Sequence, residues 1–163
     1  MAQITTMKFS PKSGFNRNDW KTDMIGNYHA AAALEWGLVV DADADGVLTA
    51  ATDTYGVGFT MEESTADGPP ELDIYLGIFH QYEVKVGRPV SVAIPKDDAQ
   101  VYTIHVSKGS GEADLAKGQF VKIAAGKYVT DATLTASTAK GKIVELPADT
   151  GRTGLFVVQI MNV

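Results

Sequence analysis

The chain has 163 residues, no cysteine, 45% hydrophobic residues and a net charge of −6, which predicts one domain able to bury a full core without covalent staples. The lack of cysteine excludes disulfides, thiolate nucleophiles, Cys-ligated zinc and iron–sulfur clusters, and points to a reducing compartment. No apolar run approaches the roughly 18–20 residues of a membrane span, and the N-terminus lacks the basic-then-apolar pattern of a cleaved signal, so neither membrane nor secretion is expected.

The charge is unevenly spread. Residues 1–28 carry four basic and two acidic residues, residues 29–73 carry ten acidic residues and no Lys or Arg, and residues 74–163 carry ten basic and eight acidic. The acidic block disfavours nucleic acid as a partner, because that binding rests on Lys and Arg neutralising phosphates. A solvated face explains it equally well.

In chain order, the first 28 residues are polar with spaced large apolar residues, Phe9, Phe15, Trp20, Ile25 and Tyr28. They read as part of an extended N-terminal arm, 1–33, whose isolated aromatics suit docking against the body or a neighbour. Ala30 to Leu34 is a short helix-capable run stopped by Gly37. From residue 34 to 163 the expectation is a single all-β domain, an antiparallel β-sandwich or β-barrel. Short runs of β-formers closed by Gly, Pro or Asp predict strands near 37–41, 46–51, 55–62, 72–79, 81–86, 89–94, 100–106, 118–123, 127–130, 132–136, 140–146 and 153–161. Val101, Thr103 and His105 alternate with Tyr102, Ile104 and Val106, as a half-buried strand requires.

Leu34-Glu-Trp-Gly37-Leu-Val-Val, with Gly46 and Tyr55-Gly-Val-Gly-Phe59 after it, is echoed by Leu115-Ala-Lys-Gly118-Gln-Phe-Val, with Gly126 and Lys140-Gly-Lys-Ile-Val144 after it. Two related hairpin-like units, 34–106 and 112–163, would produce this, and so would chance likeness among Gly-, Thr- and Val-rich strands.

Candidate chemistry is sparse. Asp41-Ala-Asp43-Ala-Asp45-Gly46 opens like a calcium loop, but Thr52 stands where the bidentate Glu belongs. Asp45-Gly46 between two strands reads instead as a hairpin turn, a weak cation site being the alternative. His29, His80 and His105 lack metal-binding spacing, and each reads as a surface or satisfied core histidine. No serine has a nucleophile-elbow context, and Ser107-Lys-Gly-Ser110-Gly111 reads as a connector. Glu62-Glu63 and Asp97-Asp98 are adjacent carboxylates, poorly placed for acid–base pairing, and the second reads as a turn. No catalytic residue, metal or cofactor is expected. The run from Glu71 to Tyr82 reads as a core strand, or as an aromatic patch closing an interface. Candidate partner-binding residues are therefore Phe9, Phe15, Arg17 and Trp20 on the arm, with Tyr75 and Phe79 on that run.

Gly37-Leu-Val-Val-Asp with Asp45-Gly-Val-Leu-Thr-Ala, the Gly-x-x-Val strand starts at Gly87 and Gly118, and the terminal Gly154-Leu-Phe-Val-Val-Gln-Ile resemble the β-rich phage capsid decoration, or cement, proteins that carry an N-terminal arm. The resemblance covers most of 34–163 as a style of sequence. It implies a structural virion protein, made in the host cytoplasm, that sits on the capsid surface, commonly as a homotrimer, and stabilises contacts between copies of the major capsid protein. It implies no active site. Other readings are a tail or baseplate component, or a β-sandwich enzyme or carbohydrate-binding module.

Overall fold

A computed structural model describes residues 9–11, 20–23, 28–32, 34–35, 37–60, 83–84, 90 and 92–163. The strands are β1 (Phe9–Pro11), β2 (Trp20–Asp23), β3 (His29–Ala30), β4 (Leu34–Glu35), β5 (Val39–Ala42), β6 (Val47–Ala50), β7 (Gly58–Thr60) and β8 (Glu83–Val84). They continue with β9 (Val92–Pro95), β10 (Gln100–Thr103), β11 (Val106–Ser107), β12 (Phe120–Ala124), β13 (Lys127–Thr130), β14 (Gly141–Glu145) and β15 (Phe156–Ile160). One helical turn, α1 (Pro147–Thr150), precedes the last strand. The chain is all-β, built on two large sheets, one of them curled into a half-barrel.

The two sheets repeat one plan. The first runs β2-β9-β7-β5-β6-β3, and the second runs β10-β15-β14-β12-β13-β11, with β1 added outside β10. In each sheet every pair is antiparallel except the last, β3 with β6 and β11 with β13, which is parallel. Taken in chain order, β2, β3, β5, β6, β7 and β9 therefore match β10 to β15 one for one, while β4 and β8 pair apart as a two-stranded sheet.

The match extends to individual hydrogen bonds. Gly37 N–H donates to the Thr60 carbonyl at 2.9 Å and Thr60 N–H to that of Leu38 at 2.8 Å, while Gly118 N–H donates to Ile143 at 2.8 Å and Ile143 N–H to Gln119 at 2.9 Å. Val57 N–H donates to Val40 as Lys140 N–H does to Val121, both at 2.9 Å. Val40 lies opposite Gly58 and Ala50, and Val121 lies opposite Gly141 and Thr130.

The cores correspond as well. In the first unit Val40, Leu48, Val90 and Val92 are buried together with Leu34 packed beside them, and at the equivalent positions of the second are Val121, Tyr128, Phe156 and Val158 with Leu115 beside them. The units do not pack core to core. Val39, Ala51, Phe59 and Ala93, on the opposite face of the first sheet, cover the core face of the second. The β12–β13 turn completes the join: Val39 N–H donates to the Gly126 carbonyl at 3.0 Å, and Gly126 N–H to that of Ala51 at 2.8 Å.

Four expectations from the sequence need correction. Ala30 to Leu34 is not helical: Ala30 and Leu34 lie in strands, because β6 and β8 supply backbone partners that a single helical turn lacks. Residues 132–136 form turns, drawn away from strand pairing by Asp131, which accepts the Thr133 N–H at 2.9 Å and its hydroxyl at 2.6 Å. The run 100–106 bends at Ile104 and splits into β10 and β11. The run 153–161 starts only at Phe156, because Gly154 adopts a φ of 71° in the turn before it. The run 72–79 lies outside the described residues.

Candidate interaction surface

The arm candidates divide three ways. Phe9 pairs through its backbone with Thr103 in β10, and Trp20 with Pro95 in β9, so both belong to strands at sheet edges. Phe15 and Arg17 lie outside the described residues, as do Tyr75 and Phe79. Of the six candidates, Phe9 and Trp20 are the described ones, and they stand on different sheets. Glu62, Glu63 and His80 also fall outside.

The Asp41–Asp45 pattern forms a hairpin between β5 and β6. Asp43 Oδ1 accepts the amides of Asp45 and Val47, each at 2.9 Å, and Gly46 N–H donates to the Asp43 carbonyl at 3.1 Å. Gly46 takes a φ of 79°, the left-handed residue that ends a three-residue hairpin loop. Asp43 is thereby occupied with backbone, and Asp41 Oδ1 accepts the Thr54 hydroxyl at 3.4 Å. In the second unit Ala125 and Gly126, with φ of 48° and 76°, make the tighter two-residue turn. Asp97 and Asp98 are a turn, as expected: Asp97 accepts the Val163 amide, and Asp98 the Gln159 side-chain amide, both at 2.9 Å.

Polar groups link the units. Tyr128, fully buried, has its hydroxyl 2.9 Å from that of Tyr55, which donates in turn to the Lys140 carbonyl. Burial pushes both phenols up, so they remain neutral donors. Glu35 in β4 receives Lys127 Nζ at 3.0 Å on one oxygen, and the other lies 3.7 Å from Nδ1 of the buried His105. His105 is thus the satisfied core histidine among the two readings.

On the back of the second sheet, opposite its core, Phe120 pairs across to Lys142, Lys142 to Gln159, and Gln159 to Gln100. Lys142 is exposed and the other three are half-buried. Beside them Lys122 Nζ binds Asp131 at 2.9 Å. The Thr133 hydroxyl, then Lys122, hold the Asp131 carboxyl well below the usual carboxylate range. This row was missed in the sequence because its residues look like ordinary outward strand positions. Only the repeat marks it as equivalent to the buried back of the first sheet.

No protein-family model matches the chain, and no curated protein matches it significantly.

Proposed function

We propose that the chain is a structural virion protein that binds the outer surface of a phage capsid as a homo-oligomer, most simply a trimer, and stabilises contacts between major capsid subunits. The sequence resemblance over 34–163 supports this reading, and the all-β fold that it implies is the fold of the chain. The observation that carries it is the way the body is tied together. β1 and β2, from the N-terminal segment, sit on one edge of each sheet, and the units share a core and backbone hydrogen bonds. Such a body transmits strain between neighbours as one packed piece, which is what bracing a shell requires. In this reading the chain acts without catalysis, cofactor, nucleic acid or membrane.

Co-sedimentation with empty expanded shells of the same virus tests it. The chain should pellet with the shells at a fixed ratio and raise the temperature at which they break. Shells that pellet without it, and break at an unchanged temperature, would overturn the reading.

A further inference from the structure

The units stack front to back, and such a stack has one surface its own repeat leaves uncovered. The back of the first sheet presents Val39, Ala51, Phe59 and Ala93 to the second unit. The equivalent back of the second sheet presents Phe120, Asp131, Lys142 and Gln159, of which Lys142 is exposed and the others half-buried. Three apolar residues have become charged or polar, which is how a stacked repeat is kept from continuing. The fourth stays apolar, Phe120 standing where the first unit has Val39: it is half-buried beside the exposed Lys142, whose ammonium has no partner among the described residues.

We propose that this back face receives a second copy of the chain, through that copy's acidic first unit. The contact rests on the self-association in the proposed function and is independent of the capsid as partner. Charge complementarity selects the occupant. Residues 29–73 hold ten carboxylates and no Lys or Arg, and in their β5–β6 hairpin Asp43 and Asp45 are exposed. The back face answers with Lys142 at its centre and Phe120 as an apolar anchor, the pairing of burial and charge found at interface centres. A contact between two different faces of one chain is heterologous, and it closes into a ring when its rotation allows.

Sedimentation equilibrium of the full chain at micromolar concentration is the test. The unmodified protein should self-associate, less strongly at high salt. Lys142→Glu, at an exposed position, should keep its circular dichroism and melting temperature yet associate at least tenfold more weakly. Adding Asp45→Lys to Lys142→Glu should recover much of the loss, and it spares the Asp43 cap of the hairpin. A monomeric parent protein, or undiminished association of Lys142→Glu, overturns the proposal. If the parent is monomeric and Lys142→Glu instead loses co-sedimentation with shells, the face belongs to the capsid protein. The proposal then falls while the decoration role stands.

Discussion

The two units use one strand plan with different edges and connections. The first sheet joins its last two strands in the chain, β7 and β9, through residues 61–91, and the second joins β14 and β15 through 146–155 with α1 inside. The first closes its hairpin with the longer Asp43 loop, and the second with Ala125-Gly126. A frame of paired antiparallel neighbours tolerates this, because loop entropy grows only slowly with length. What the frame holds constant is the row of Val40 with Gly58 and of Val121 with Gly141. What it varies is the back of each sheet, apolar where a unit must be covered and polar where the stack ends.

The conserved row offers the sharpest break. A Cβ at Gly58 would lie 2.4 Å from the Ala93 carbonyl oxygen, at a φ of +123°, whereas one at Gly141 would first meet a methyl of Val158 at 2.7 Å. Backbone cannot give way as a side chain can. Gly58→Ala should therefore cost about 3 kcal/mol or more, and Gly141→Ala about 1–3 kcal/mol, by urea denaturation. Equal costs would mean that the two rows are not built alike.

The second unit has Tyr128 where the first has Leu48, and only the tyrosine needs a polar partner, which Tyr55 of the first unit supplies. Tyr55→Phe strands the buried Tyr128 hydroxyl and removes one of two donors to the Lys140 carbonyl, which keeps the Met161 N–H at 3.0 Å, so about 1–3 kcal/mol should be lost. Tyr128→Phe strands no acceptor that Tyr55 leaves unfilled, and should cost about 1 kcal/mol. The reverse order, measured by the same denaturation, would show that the hydroxyl chain runs the other way.

Much of this frame could be read in the sequence. The alternation of Val101, Thr103 and His105 appears as burial along β10 and just beyond it, and the Leu34 and Leu115 segments are aligned in the structure as they are in the echo. The helical turn α1 was also within reach and missed, since Pro147 opens it, Asp149 accepts the Leu146 amide at 2.9 Å, and Gly151 ends it at a φ of 67°. The back faces were not legible. Differing loop lengths change the offset between equivalent residues from strand to strand, so Phe59 and Lys142, or Ala93 and Gln159, never line up in a simple comparison. Which face of a strand meets another unit is decided by stacking, and alternation is silent on it.

β1 sharpens the comparison further, since it extends only the second sheet. Deleting residues 2–11 would leave two six-stranded sheets of one plan, and the body should stay folded by circular dichroism. If the N-terminal segment also docks on the shell, co-sedimentation should weaken at least tenfold, about 1.4 kcal/mol. Undiminished shell binding would confine β1 to covering the β10 edge.

The smallest expected effect concerns Asp131, which stands where the first unit has the neutral Ala51. Its carboxylate is stabilised in the charged form by the Thr133 hydroxyl and amide and by Lys122. A carboxyl whose folded pKa is depressed contributes stability that is present above its unfolded value, near 3.9, and is lost as pH falls through the folded one. Asp131→Asn should therefore lower the melting temperature at pH 7 by no more than about 2 °C, because the group is accessible to water and screened. As pH falls from about 4 toward the depressed folded value, the difference from the parent protein should shrink toward zero, since the unfolded chain takes up the proton that the folded carboxylate still refuses. Asp149, lowered by its hydrogen bond from Lys117, remains in the variant and keeps part of the acid slope. A gap that widens on acidification would mean that the carboxylate is not what holds the 131–140 turns in place.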